Sequence, residues 1–264
     1  MPARIVAGIA LALALSSSAC ATAAFIRPTG VAIPAPEETS ALARTTATCQ
    51  SRQSYSGSLG LTGKLGARRI PGLASAVLFV VVTRDGQVGI EAQVSSQRVF
   101  RLGGTAERAT LLLPADGRVV IDRADDIVDA LIGVRLGPER LFGILGGCGA
   151  VGAGPVAGER VGDVLRVKTA AATVFLARVA GEWRPRAVDF DDLLVDYREW
   201  KDGLPLSVLL RSRGGTDHAA VLTLTVKSAD LDAPIRASAF QVNVPEGTLP
   251  MSIDELRSTG PLTP

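Results

Sequence analysis

The sequence predicts a mainly antiparallel β (α+β) fold, a sheet of about 10–11 strands closed or nearly closed around an aliphatic interior. Short apolar runs alternate with tight-turn signals along most of the chain, two segments have helical periodicity, and no strand–helix–strand alternation occurs. The stretch "AVLFVVV" is apolar on both alternating faces, so both faces of its strand must be covered. Helices on one side with a core or lipid on the other would do this, as would a sandwich.

Residues 1–19 are predicted to be a signal peptide of the lipoprotein type. Arg4 precedes the apolar run Ile5–Leu15, which has the length of a secretory h-region and falls short of the ~20 residues of a membrane span. The following "SSAC" resembles a lipobox in which Cys20 would be acylated, although Ser17 stands where leucine is usual. Cleavage at an A-x-A site within Ala19–Ala23 is the alternative.

A flexible tether is predicted over residues 20–39, because "PTGVAIPAPEETS" is rich in small residues and proline and has no periodicity. Residues 40–264 are then expected to form one β domain. The chain has 28 basic and 26 acidic residues and no basic block, so its charge does not support a nucleic-acid partner. The membrane is the expected partner, reached through the lipid anchor.

The three cysteines are Cys20, Cys49 and Cys148, and an odd number in an exported chain leaves one thiol to explain. If Cys20 carries the lipid, Cys49 and Cys148 are expected to pair in an oxidising compartment. Closing a loop of about 100 residues contributes up to ~4.7 kcal/mol in the chain-entropy model. Two unpaired, buried cysteines are the alternative.

Local signals predict the elements in order. A short helix is expected over "SALARTTATCQSRQ", capped by Thr39 or Ser40. Helices are also predicted over "ADDIVDALIG", ending at Gly133, and over "GPERLFGILGG", with Pro138 as first helical residue. Tight turns are predicted at Asp85–Gly86, Asp116–Gly117, Ala180–Gly181, Asp202–Gly203 and Gly214–Gly215.

Two further segments complete the prediction of the elements. The glycines of residues 146–158 are expected to stop regular structure. The segment "ASAFQVNVPEGTLPMSIDEL" is expected to form a last strand, a break at proline and a short terminal helix.

Gly147, Gly149 and Gly152 match the pattern G-x-G-x-x-G, but their context excludes a dinucleotide site. That fingerprint follows a strand, opens a helix and is followed by an acid about 20 residues later. Here the glycines follow a predicted helix, and no acid lies between Asp163 and Glu182. We interpret them as the sharp end of the helix, which lets Cys148 approach its partner.

No cofactor, metal site or enzymatic activity is predicted. His218 is the single histidine and no G-x-S-x-G serine accompanies it, so a solvated turn histidine is favoured. The acids Asp189, Asp191, Asp192 and Asp196 lack EF-hand spacing, so a solvated loop is favoured over a calcium site. A periplasmic hydrolase would need a cleft where these aspartates or His218 converge.

The order of features resembles the carrier and receptor proteins of the bacterial lipoprotein-localisation (Lol) pathway, the LolA/LolB-like superfamily. The resemblance rests on the lipobox-like Cys20, the early helix, "YSGSLGLTGKLG", "YREWKDGLPLSVLL" and the closing "FQVNVPEGTLPMSIDEL". Phe240–Gly247 match the family's strand-ending F-x-V-x-V-P-x-G. The glycine-rich residues 146–158 and the Cys49/Cys148 pair have no counterpart in this pattern.

The resemblance implies an unclosed β-barrel with helices lidding its open side and a hydrophobic cavity that accepts acyl chains. We therefore expect a lipid-anchored envelope protein, at the periplasmic face of the outer membrane, that binds an acyl chain or a lipoprotein in lipid transport. Large apolar residues on predicted strands or lid helices are the candidates for the cavity lining: Phe79, Phe100, Leu112, Phe142 and Phe175. A structural accessory lipoprotein of an envelope assembly, with a filled core and an envelope protein as partner, is the alternative.

Overall fold

The computed structural model describes residues 25–34, 37–65, 68–69, 76–149, 155–213 and 219–259. The predicted signal peptide, Cys20, Gly152, the turn at Gly214–Gly215 and His218 lie outside the described residues.

The described residues form four α-helices, one 3-10 helix and sixteen strands. The helices are α1 (Glu37–Ser51), α2 (Ala124–Ile132), α3 (Pro138–Leu145) and α4 (Ile253–Thr259). The strands are β1 (Ile33–Pro34), β2 (Ser54–Leu65), β3 (Arg68–Arg69), β4 (Val77–Thr83), β5 (Gln87–Val94), β6 (Gln97–Thr105), β7 (Ala109–Leu113), β8 (Arg118–Asp122), β9 (Pro155–Val161), β10 (Val164–Thr169), β11 (Thr173–Val179), β12 (Glu182–Asp189), β13 (Leu193–Lys201), β14 (Leu204–Ser212), β15 (Ala220–Leu231) and β16 (Leu249–Pro250).

All sixteen strands belong to one sheet, in the order β1-β9-β10-β11-β12-β13-β14-β15-β2-β4-β5-β6-β7-β8-β16, with β3 paired to β2. Neighbours are antiparallel except β8 and β16, which are parallel. Among the described residues β1 and β16 remain at opposite ends of this order, so the barrel is unclosed. The predicted unclosed, mainly antiparallel sheet with helices is confirmed, with more strands than predicted because the short edge strands and β9 carry weak local signals.

The tight-turn signals identify the hairpins. Asp85–Gly86, Asp116–Gly117, Ala180–Gly181 and Asp202–Gly203 each join two neighbouring antiparallel strands. The glycine of each pair has a positive φ, between 59° and 86°, a region that glycine enters without steric penalty.

Helices α2 and α3 lie where their periodicity predicts them. The end of α3 is built by Gly147, whose φ is 69°. The N–H of Gly147 donates to the carbonyl of Ile144 (3.1 Å), and the N–H of Cys148 donates to the carbonyl of Gly143 (2.8 Å). These two bonds form the Schellman motif that ends many helices. The first glycine of the G-x-G-x-x-G pattern therefore ends a helix.

Two expectations about irregular segments are wrong. Residues 146–158 were expected to lack regular structure, yet Pro155–Val161 form β9, because this stretch pairs in register with β10. The tether predicted over residues 20–39 is already ordered at Phe25, which is buried, and Ile33–Pro34 pair with β9. Helix α1 also begins earlier than predicted, at Glu37.

The predicted C-terminal strand is also wrong. Ala237–Phe240 form a 3-10 helix and no strand follows until β16, so the Phe240–Gly247 motif does not end a strand. The reason lies in Gly89 and Gly103, which are cross-strand partners in β5 and β6. A Cβ at Gly89 would overlap the carbonyl oxygen of Ala239, and one at Gly103 would lie 2.7 Å from that of Phe240. The absence of both side chains lets this segment lie flat across the sheet.

Residues 237–259, the C-terminal strap, are held on the outer face by Arg101. Its guanidinium donates to the carbonyls of Ser238 (3.0 Å) and Gln241 (3.2 Å) and forms an ion pair with Glu91 (3.1 Å). Further along, α4 packs against α2 and places the side chain of Leu256 in the core with no exposed surface. The strap therefore runs from the outer face of the sheet to helix α2.

The Gly89→Ala variant is expected to be about 1–3 kcal/mol less stable than the native protein, because the added Cβ forces the strap away from β5. Equilibrium urea unfolding and the rate of proteolysis within the strap measure the effect. Gly60→Ala is the matched control, because a Cβ at Gly60 in β2 meets its nearest neighbour only at 3.5 Å. Equal destabilisation by the two variants would contradict the proposed contact.

Candidate functional site

The unclosed barrel has an interior between the inner face of the sheet and helices α2 and α3. This interior is lined wholly by apolar side chains. The lining comprises Leu59, Leu61, Leu78, Val80, Ile90, Phe100, Leu102, Leu210 and Leu224 from the strands, and Val128, Leu131, Ile132, Leu136 and Leu141 from α2, α3 and their connection. The cavity left among them measures about 60 Å³. Since a cavity of roughly 150 Å³ holds one benzene molecule, this interior is filled by its own side chains.

The pairing register builds this lining. Leu59 lies opposite Leu78, Val80 opposite Ile90, and Ile90 opposite Leu102. Directly opposed residues share a face of the sheet, so these aliphatic side chains form one continuous inner row.

Phe100 and Phe142 lie in this interior. Phe100 is 6% exposed and lines the cavity from β6. Phe142, on α3, is 1% exposed and belongs to the same core cluster, although it is not among the residues that line the cavity. Both side chains therefore lie in the apolar interior.

The structure corrects the assignment of Phe79 and Leu112 to the interior. Phe79 lies opposite Glu91, and Arg101 lies opposite both Glu91 and Leu112, so the register places all four on the outer face. Phe79 is 46% exposed there. The strands β4 and β7 are apolar on both faces, and the alternation alone does not distinguish inner from outer residues.

Phe175 also faces outward, which corrects its assignment as a lining residue. It packs in a separate cluster with Phe25 and Ala187, and the Phe25 and Phe175 ring centroids are 4.9 Å apart. Phe25 precedes the domain boundary that the sequence predicts. Phe25, from the N-terminal segment, therefore covers Phe175 on the outer face of the sheet.

Asp196 anchors this N-terminal segment. Its side chain has no exposed surface, and its carboxylate accepts a hydrogen bond from the N–H of Phe25 (2.7 Å) and forms an ion pair with Arg186. Two further guanidiniums, of Arg198 and Arg211, lie 3.8 Å and 4.0 Å from the carboxylate. The sequence-based interpretation of Asp196 as part of a solvated loop is wrong, because strand β13 turns it onto the covered outer face.

The other three aspartates of this cluster, at positions 189, 191 and 192, do not share a common partner. Asp189 forms ion pairs with Arg27 and Arg213, and Asp192 pairs with Arg140 (2.8 Å). Asp191 is exposed, as expected of a loop. Within the described residues, no three His, Cys, Asp or Glu side chains converge as a metal ion would require.

Cys49 and Cys148 form a disulfide bond, with their Cα atoms 5.5 Å apart. The bond joins the last turn of α1 to Cys148, three residues past the end of α3. The lid helices α2 and α3 therefore lie within the loop that this disulfide closes.

Fold and interior together define a class of protein: an unclosed antiparallel barrel with an apolar interior beneath helices. A LolA superfamily protein from Nitrosomonas europaea has this fold, with a TM-score of 0.52, 10% identity, and coverage of 77% of this chain and 97% of that one. The sequence-based resemblance to this superfamily is thus confirmed at the level of the fold.

Two further solved structures are similar at lower TM-scores. A putative outer membrane lipoprotein-sorting protein domain from Vibrio parahaemolyticus scores 0.47 at 11% identity, covering 77% of this chain and 97% of that one. A DUF1329 family protein from Desulfovibrio piger scores 0.48 at 9% identity, covering 79% and 97%. No family model matches the sequence, and no curated protein matches it. In the part of the chain that the structure describes, no helix has the length and apolar content to cross a membrane.

Proposed function

We propose that this protein is a non-enzymatic carrier of the cell envelope that binds an acyl chain, free or attached to a lipoprotein, between the inner face of its sheet and the lid formed by α2 and α3. The observation that carries the proposal is the lining, in which every side chain is apolar. The LolA-like fold supports it. The ligand is held by burial alone, without covalent chemistry.

Because the cavity is small, the acyl chain must replace lid side chains. The ion pairs of Asp125 and Asp126 with Arg123 and Arg135 are all made within residues 123–135, so they move together with α2. An exposed pair between Arg257 and Asp129 (3.4 Å) is the charged contact from α4. Apolar packing on the sheet is therefore the main force that holds α2 closed.

The free energy lost by exposing lid side chains is comparable to the free energy gained by burying an acyl chain. Exposing three lid side chains, such as Ile127, Val128 and Leu131, costs ~4.5–9 kcal/mol at ~1.5–3 kcal/mol each. Burying about ten methylenes of a fatty acid contributes ~8 kcal/mol at ~0.8 kcal/mol each. An acyl chain that buries about ten methylenes can therefore offset the free-energy cost of opening the lid, whereas a chain that buries only a few cannot.

The Leu131→Ala variant tests the lid. It removes a side chain that closes the cavity, so we expect the open fraction, and with it the apparent affinity for a fluorescent fatty acid, to rise up to about tenfold. Leu113→Ala is the matched control, because Leu113 is also buried, at 2% exposed against 6% for Leu131, but does not line the cavity. Titration with the fluorescent fatty acid and native mass spectrometry provide the readouts. Protein that is always recovered empty, with no uptake in any variant, would exclude a carrier.

A structural accessory lipoprotein is the second candidate, and the cavity of about 60 Å³ is the observation that favours it. In that case α2 is a permanent part of the core. Leu131→Ala and Leu113→Ala would then both lower stability, and neither would take up fatty acid.

We also propose that Cys20 carries the lipid anchor, as its lipobox-like setting predicts. Phe25 is packed against Phe175 and Ala187, and four residues separate it from Cys20, so the Cα atoms of Cys20 and Phe25 lie at most ~18 Å apart. The body would then lie close to the membrane, with the exposed Ile26 and Val31 on the segment nearest to it. Acyl labelling of the native protein and of Cys20→Ala tests this, and an unmodified Cys20 in the mature protein would contradict it.

A further inference from the structure

A concave site of about 520 Å³ lies between α1, the turn of the β11–β12 hairpin and the end of α3. Arg44 and Arg52 line it from the side of α1, and Arg178 and Arg184 line it from the hairpin. Glu182 is the one acid among its described lining residues. Four guanidiniums therefore face a single carboxylate, and the cleft carries excess positive charge.

Two of the guanidiniums are positioned by tryptophan rings. The Arg178 guanidinium lies 4.8 Å from the ring centroid of Trp183, and that of Arg184 lies 5.7 Å from the ring centroid of Trp200. Such cation–π contacts hold a guanidinium in place while its charge is retained. Arg184 also pairs with Glu182, which is exposed.

The two guanidiniums on the opposite wall have no carboxylate within ion-pair distance among the described residues. Arg44 is exposed, and Arg52 donates to the carbonyl of Gly146. Burial, followed by the positive charge of Arg184, lowers the pKa of Arg52, although Asp232 partly opposes this. The fold therefore holds like charges close together, an arrangement that an anion would stabilise.

We propose that this cleft is a binding site for a phosphate group. Arginine presents two parallel N–H donors that match the oxygens of a phosphate, and donors on facing walls can contact different oxygens of one group. The cleft has room for the rest of a larger molecule, so the phosphate belongs either to a lipid headgroup or to a free phosphate compound. The site is separate from the apolar interior and does not depend on a ligand there.

The test uses the double variant Arg44→Gln/Arg184→Gln and a control with the same change of charge, Arg108→Gln/Arg236→Gln, whose residues lie outside the cleft. Isothermal titration with inorganic phosphate probes a free compound. Co-sedimentation with phosphatidylglycerol vesicles, compared with phosphatidylcholine vesicles, probes a headgroup. We expect binding to at least one probe to weaken about tenfold in the cleft variant and to stay unchanged in the control.

Binding of inorganic phosphate that requires the arginines identifies a free compound, and arginine-dependent binding of phosphatidylglycerol vesicles alone identifies a headgroup. Equal binding by the cleft and control variants, or no binding of either probe by the native protein, would overturn the proposal. Because Arg44 is exposed, Arg44→Gln alone provides a folded variant if the double variant is unstable. Fatty-acid uptake should be unchanged in every one of these variants, which separates a failure here from a failure of the carrier function.

Discussion

Replacing Cys49 and Cys148 together by alanine is expected to lower the free energy of unfolding by about 3–5 kcal/mol. The disulfide closes a loop of 99 residues, and in the chain-entropy model such a loop restricts the unfolded chain by about 4.7 kcal/mol. The loop contains β2 to β8 together with the lid helices, so the bond constrains seven of the sixteen strands. Equilibrium urea unfolding of the oxidised protein and of the double variant measures the difference.

The native protein in the presence of a reductant is the matched control for this variant. The reduced native protein should unfold at the same urea concentration as the double alanine variant, because both lack the bond. The two proteins differ only in the thiols, so a lower stability of both is caused by loss of the bond. If the double variant is as stable as the oxidised native protein, the bond does not contribute to folding. The residue Cys148 would then matter only as a small apolar side chain beside the end of α3.

The local parts of the fold are predictable from the sequence because their causes are local. A glycine after an aspartate or alanine supplies the positive φ of a tight turn, and four such dipeptides identify four hairpins. Helices α2 and α3 follow from their apolar spacing, Pro138 and the glycines at their ends. None of these signals depends on residues distant in sequence.

The covering of the outer face depends on contacts between distant segments and is not predictable in this way. Phe79 and Phe100 have equal hydrophobicity on neighbouring parts of one meander, yet the register places one outside and the other inside. The C-terminal strap lies flat only because Gly89 and Gly103 are cross-strand partners. In the sequence, either glycine alone would indicate only a weak strand position.

The charged features were missed for a similar reason. Arg44 and Arg184 are far apart in the sequence, and neither stands in a basic block, so composition does not reveal their common cleft. A partial signal exists, since Arg178 and Arg184 flank the turn at Ala180–Gly181 together with Trp183, and hairpin pairing brings such residues together. Helix α1, which forms the opposite wall of the cleft, is not predictable from that hairpin.

The Asp196→Ala variant is expected to lower the free energy of unfolding by about 3–5 kcal/mol, because it removes one partner of a buried ion pair. Arg186 loses the carboxylate that it contacts, and the N–H of Phe25 loses its acceptor. Chymotrypsin should therefore cleave the N-terminal segment after Phe25 faster than in the native protein. Asp191→Ala, at an exposed position in the same stretch, is the control and should change neither measurement.

Asp196→Asn separates the charge of this carboxylate from its role as an acceptor. An asparagine oxygen can still accept the hydrogen bond from Phe25, but the guanidiniums of Arg186, Arg198 and Arg211 would lose their common negative charge. We expect stability between those of the native protein and Asp196→Ala, because the amide keeps the acceptor but removes the negative charge that the guanidiniums face. An asparagine variant as stable as the native protein would mean that the hydrogen bond to Phe25 alone holds the N-terminal segment on the sheet.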